Sequence, residues 1–131
     1  MIEYRHNVPL DPVDVVRVLD ASGISRPTDD VARIARMYAT SNLLISAWSD
    51  GVLVGVCRGM TDYSYTCYLA DLAVEKIFQK QGIGRELIQR ARNAIGERVS
   101  LLLLSAPGAM TYYPKMGFEK IDNAFLIKRT H

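Results

Sequence analysis

Val74-Glu75-Lys76-Ile77-Phe78-Gln79-Lys80-Gln81-Gly82-Ile83-Gly84-Arg85-Glu86-Leu87 is the stretch whose reading decides the fold. The run before it, Tyr68 to Val74, reads as an apolar strand. A short polar link follows, and then a glycine-spaced turn that opens directly into a helix. Backbone N–H groups at such a turn, together with the positive end of the helix dipole, form a site for phosphate oxygens. Glycine suits the turn because it accepts positive φ and keeps a side chain from holding an anion off the backbone.

The spacing excludes two common phosphate loops. A P-loop needs Lys-Ser or Lys-Thr after its last glycine, and neither dipeptide follows here. A dinucleotide-binding fingerprint needs a third small residue three positions after the second glycine, where this chain has Leu87. A second motif, Ala109-Met110-Thr111-Tyr112-Tyr113-Pro114-Lys115-Met116-Gly117-Phe118, lies downstream, with a helix and one apolar strand between the two. The spacing Gln79-x-x-Gly82-x-Gly84 resembles the pyrophosphate loop of the GCN5-related N-acetyltransferases (GNAT). Tyr112, Tyr113, Lys115, Gly117 and Phe118 match the other signature of the same family, an aromatic-Tyr-x-Lys-x-Gly-Phe run, and the two motifs stand in family order.

Composition sets the limits of the reading. A chain of 131 residues is near the modal domain size and buries roughly two-thirds of its unfolded surface, so residues 1–131 read as a single domain. The net charge of +2, with scattered basic residues, gives no reason to expect a nucleic-acid partner. Val99 to Leu104 is the longest apolar run and is too short to span a bilayer. Arg5 and His6 interrupt any secretory apolar core near the first residues. Cys57 and Cys67 have no Cys-x-x-Cys spacing and read as buried thiols of a cytoplasmic protein. His6 and His131 have no partners at ligand spacing, so no metal site is expected.

Along the chain the pattern is α/β, without linkers or repeats. Ile2 to Asn7 reads as a strand. Asp11-Pro12 caps a helix with Val15, Val16 and Leu19 inward. A second helix follows Thr28, with Asp29 and Asp30 in its first turn and Val31, Ile34, Met37 and Tyr38 buried. Ser49-Asp50-Gly51 joins two strands, Leu43 to Trp48 and Val52 to Met60, as a hairpin. Ser64 to Val74 is the long central strand. The motif helix runs from about Ile83 to Ile95 and buries Leu87, Ile88, Ala91 and Ile95. Val99 to Leu104, apolar on both faces, reads as a strand covered by helices on both sides. A short helix ending at Tyr113, where Pro114 stops it, and a last hairpin turning near Asp122-Asn123 complete the order.

The resemblance implies the family fold: a mixed, mostly antiparallel twisted sheet with a splayed parallel strand pair and helices on both faces. It also implies an acetyl-CoA-dependent N-acetyltransferase, moving an acetyl group to a primary amine by direct attack in a ternary complex. Gln79, Lys80, Gln81, Gly82, Ile83, Gly84 and Arg85 then form the pyrophosphate loop, and Leu72, Ala73 and Val74 offer backbone groups to the pantetheine arm. Gln79 stands where the family more often has arginine, with Lys80 or Arg85 as replacements for that charge. Ser105-Ala106-Pro107-Gly108 stands where many members place a cofactor-touching asparagine. Tyr113 matches the family's general acid, and a phenol protonated at neutral pH suits a departing thiolate. Asp71 is the first acidic candidate for a general base and Glu75 the second. Period-two alternation puts Asp71 on one face with Tyr65, Cys67 and Leu69, unless a bulge near Leu72 intervenes. A carboxylate paired with an arginine is the equal alternative for Asp71. The acceptor, a small-molecule amine or a protein amine, is left open, with Ser22 to Pro27 and Asp122-Asn123 facing it by resemblance. Many relatives are homodimers. A non-catalytic acyl-CoA sensor is the alternative function.

Overall fold

The computed structural model describes residues 1–131. In chain order it contains β1 (Ile2–His6), α1 (Pro12–Ser22), α2 (Val31–Thr40), β2 (Leu43–Ser49), β3 (Val52–Thr61), β4 (Thr66–Val74), α3 (Ile83–Ile95) and β5 (Ser100–Leu103). Short 3-10 turns lie at Lys76–Phe78, Pro107–Ala109 and Tyr113–Met116. The five strands follow one another across the sheet, antiparallel from β1 to β4, and β5 joins β4 in parallel. The α3 crossover is what permits that parallel pair.

Local chemistry sets the element ends. The Asp11 side chain accepts from Val13 N–H and Pro12 occupies the first turn of α1. Asp30 caps α2 by accepting from Arg33 N–H, so that helix starts at Val31 and Asp29 lies before it, two residues later than the sequence suggests. Asp50 and Gly51 both take positive φ, 50° and 78°, as the tight hairpin between β2 and β3 requires.

Two apolar layers sandwich the sheet. Val15, Val18 and Leu19 of α1 and Ile34 and Tyr38 of α2 pack on Leu44, Leu53, Val56 and Ala73. On the opposite face Leu87, Ile88, Ala91 and Ile95 of α3 meet Leu43, Ile45, Val54, Cys57, Cys67 and Leu69. Period-two alternation explains how neighbouring strand residues serve opposite layers.

Three expectations from the sequence are corrected. β5 is an edge strand, and Leu102 and Leu104 are substantially exposed. Its apolar run therefore does not mark cover on both faces. Tyr113 opens a 3-10 turn with Pro114 in its first positions; it does not end a helix. Proline lacks an N–H but fits a first turn, so it starts this one. Residues 119–131 form no strand, and the expected last hairpin is absent. Asp122-Asn123 lacks the glycine that makes Asp50-Gly51 decisive, and a two-stranded hairpin with no third partner has marginal stability.

Leu87 is completely buried at the centre of the α3 layer. Leu87→Ala should lower unfolding free energy by about 2–5 kcal/mol, read from urea denaturation as a lower midpoint with an unchanged slope.

Candidate active site

The β4–β5 ladder runs only from Thr66↔Ser100 to Leu69↔Leu103. β4 continues to Val74, so Ala70 to Val74 has no strand partner on that side. The separation begins at a bulge. Arg58 pairs with Asp71 and Gly59 with Leu69, which leaves Ala70 as the extra residue on β4. That one residue reverses the alternation. Cys67 and Leu69 face the α3 layer, whereas Ala73 faces α1 and α2 and Asp71 reaches Tyr38 of α2. Asp71 therefore does not share a face with Cys67 and Leu69. The bulge lies two residues before Leu72, ahead of Asp71 and not after it.

Asp71 is fully buried and its two oxygens are divided between two arginines. Oδ1 accepts from Arg26 Nε at 2.7 Å, and Oδ2 accepts from Arg58 Nε at 2.6 Å and from Tyr38 Oη at 2.8 Å. Burial pushes this carboxyl up, but hydrogen bonds and charge from Arg58, then Arg26, more than reverse the effect and hold it below the ordinary carboxylate range. Such a group is a weak proton acceptor. The geometry matches the paired alternative for Asp71, not the base. Glu75 is likewise occupied, in an ion pair with Arg17 of α1.

Beyond β4, the glycine turn presents a row of backbone donors. The N–H groups of Lys80, Gln81, Gly82, Ile83, Gly84 and Arg85 make no hydrogen bond within the protein, and the α3 ladder begins with Glu86 N–H to the Gly82 carbonyl. Lys80 (φ 65°) and Gly82 (φ 84°) are both left-handed, which turns successive amides toward one side in the manner of an anion nest. Such a concavity, at the positive end of a 13-residue helix, fits a pyrophosphate. Gly84 serves space instead: a Cβ there would lie 2.5 Å from Tyr112 Oη. The second motif thus rests on the first. Gln79 is exposed, and its Nε2 donates to the Val74 carbonyl at 2.8 Å and to the Ser22 carbonyl at 3.3 Å. Its amide nitrogen ties the strand end.

Tyr113 is half-buried against the α3 layer, edge-on to Tyr112 and Phe118 at ring-centroid distances of 5.3 and 5.6 Å. Its hydroxyl has no protein partner. Burial first, then Tyr112 and Cys57, raise its pKa above the usual tyrosine value, with Arg26 opposing them. No group of three or more His, Cys, Asp or Glu is arranged to hold a metal ion. A groove of about 1100 Å³ follows β5 and the segment beyond it and reaches Tyr113, but does not include the glycine turn.

Arg58 is absent from the sequence reading, and Tyr112 appears there only as a match to the second motif. An arginine within the otherwise apolar Val52 to Met60 run is the available signal, because a strand buried on both faces carries a charge only when it is paired. Nothing in the local pattern tells that Tyr112 sits on Gly84.

Comparison with known proteins places the chain in a family. Residues 19–128 match the model of the acetyltransferase (GNAT) domain. The chain belongs to the GNAT acetyltransferase family. It is 23% identical over 115 residues to an uncharacterized ycf52-like N-acetyltransferase of Prochlorococcus marinus, spanning 83% of this chain and 63% of that relative's length. Solved structures share the fold. A probable acetyltransferase from Staphylococcus aureus superposes with a TM-score of 0.81 at 21% identity, over 98% of this chain and all (100%) of the other. A predicted acetyltransferase from Clostridium acetobutylicum, solved with acetyl-CoA, gives 0.74 at 18% identity over 100% of both chains. An aminoglycoside N-acetyltransferase solved with CoA gives 0.74 at 16% identity, over 100% of this chain and 96% of its own. No helix is long and apolar enough to cross a membrane.

Two outcomes follow from this geometry. Gly84→Ala should strain the turn, and adding Tyr112→Phe should relieve it, so the double variant melts above the single Ala variant in a thermal scan. Asp71 has a folded pKa below its unfolded value of about 3.9. Its contribution is complete above that value and is lost as pH falls through the lower folded pKa. Asp71→Asn should flatten the fall in stability between about pH 5 and the acid extreme, measured by urea midpoints at successive pH values.

Proposed function

We propose that this chain is an acetyl-CoA-dependent N-acetyltransferase acting on a primary amine, and that the six unbonded N–H groups from Lys80 to Arg85 carry the reading. They supply a row of donors at a helix N-terminus, suited to a pyrophosphate. The unpaired part of β4, Leu72 to Val74, offers its backbone to the amides of the pantetheine arm as another strand would. Family membership and the two structural relatives solved with CoA or acetyl-CoA support the same ligand. In this reading Lys80, Gln81, Gly82, Ile83, Gly84 and Arg85 bind cofactor through their backbone, with Leu72, Ala73 and Val74. Gln79 acts indirectly, by fixing Val74.

The reaction is direct transfer. The amine, after losing its ammonium proton to solvent, attacks the thioester carbon. A C–N bond forms and the C–S bond breaks. A backbone N–H near Val74 stabilises the carbonyl oxygen as charge develops there. The departing thiolate takes a proton from the Tyr113 hydroxyl, which is replenished from water. A raised pKa keeps that phenol protonated across neutral pH. Positioning of the two reactants supplies much of the acceleration, and neither Asp71 nor Glu75 enters a proton transfer. The acceptor is a small-molecule or protein amine. A non-catalytic acyl-CoA sensor would bind the same ligand without transferring its acetyl group.

The test is acetyl-CoA turnover with a broad amine panel, products identified by mass spectrometry, comparing wild type with Tyr113→Phe. Acetylated product and a rate loss of about 10²–10⁴-fold in the variant are expected, with the alkaline limb of wild-type kcat above the ordinary tyrosine pKa of about 10. Product at equal rates overturns the acid assignment. Acetyl-CoA binding without product from any amine favours the sensor.

A further inference from the structure

The role left to Asp71 lies in what it holds. Arg26, in the loop between α1 and α2, uses three different nitrogens at once. Its Nε donates to Asp71 Oδ1 at 2.7 Å, its Nη2 to the Ala70 carbonyl at 2.9 Å, and its Nη1 to the Ser25 carbonyl at 2.7 Å. It thus grips two consecutive β4 residues, one by backbone and one by side chain, at the bulge where β4 leaves β5. Ala70 has no partner residue on β3 in that register, and the β5 ladder stops one residue earlier.

A second tie closes the other end of the unpaired segment. Gln79 Nε2 bridges the Val74 carbonyl and the Ser22 carbonyl. Residues 70 and 74 are therefore both joined to the same short stretch, Ser22 to Arg26, at the end of α1. Arg58 keeps Asp71 in place from the opposite strand, directly across the ladder, with Tyr38 as a further donor to the same oxygen. β3 holds this segment on one side only, with the register interrupted at Ala70, and the two ties brace its unpaired side at both ends before a ligand arrives.

We infer that Arg26, oriented by Asp71, is a positioning residue that fixes the unpaired β4 segment in the conformation that receives the pantetheine arm, and links the α1–α2 loop to it. The inference rests on the acetyl-CoA reading above. Removing Arg26 leaves Asp71 paired with Arg58, so the buried carboxylate stays neutralised and the fold persists. Removing the Asp71 charge leaves two arginines without their common partner, a harsher change.

The experiment measures three things in wild type, Arg26→Met, Asp71→Asn and the double variant: acetyl-CoA affinity by calorimetry, kcat and KM for acetyl-CoA, and amide exchange at Leu72 to Val74 without ligand. Arg26→Met should bind acetyl-CoA about tenfold more weakly, the equivalent of one charge-assisted hydrogen bond. KM should rise more than kcat falls. Exchange at Leu72 to Val74 should be faster. The double variant should be no worse than Asp71→Asn alone, because both act through one clamp. A melting point that falls while affinity, KM and exchange hold steady overturns the inference. So does an Asp71→Asn enzyme without turnover beside an Arg26→Met enzyme of normal kcat and KM, which returns Asp71 to the role of base. If Asp71→Asn does not fold, Arg26→Met alone decides. If wild type binds no acetyl-CoA, the functional reading fails, and amide exchange in the free protein still decides the clamp.

Discussion

One surplus residue in a strand organises this site. Ala70 has no register partner on β3, and with it the alternation of β4 reverses and the parallel ladder with β5 ends. The proposed cofactor site depends on that break. Before it, β4 is an ordinary sheet strand packed on both sides. After it, a stretch of backbone is unpaired toward the gap, Asp71 points to the α1–α2 layer, and the chain leads directly into the glycine turn. A bulge costs ladder hydrogen bonds. Here the carbonyl it strands is met by Arg26, and the carboxylate beside it is shared by two arginines, of which the buried Arg58 would be costly to leave unpaired.

Two kinds of donor flank the break. Side chains, Arg26 and Gln79, secure carbonyls at positions 70 and 74 from the α1 side. Backbone amides from Lys80 to Arg85 remain without acceptors on the α3 side. The contrast has a physical meaning. Carbonyls that a ligand does not need are satisfied internally, while N–H groups, directed by a helix N-terminus and two left-handed residues, are left for an anion. Tyr113 and Tyr112 come to this region from a segment thirty residues later. Gly84 gives Tyr112 room to sit on the helix start, so the two sequence motifs are in contact in space.

Much of this was legible in the residues. The glycine spacing placed the turn, helical periodicity placed Leu87, Ile88, Ala91 and Ile95 inward, and Asp50-Gly51 marked the hairpin. What escaped was set by partners far along the chain. For Asp71 the sequence leaves base and ion-pair partner equal; its state is decided by Arg26 and Arg58, 45 and 13 residues away. Gln79 sat in the right motif, yet its amide nitrogen donates to Val74 and Ser22. β5 looked doubly covered because its residues are apolar, but composition does not tell an edge from a centre. The last hairpin rests on a turn at Asp122-Asn123, and a turn without glycine or a third strand does not determine pairing.

The central claim is that acetyl-CoA occupies the turn and the unpaired part of β4. An amide-resolved NMR titration of the isotopically labelled protein with acetyl-CoA tests it most directly. Saturable shifts concentrated at Lys80 to Arg85 and at Leu72 to Val74 are expected. Shifts confined to the groove along β5, or none at all at millimolar ligand, would contradict the account.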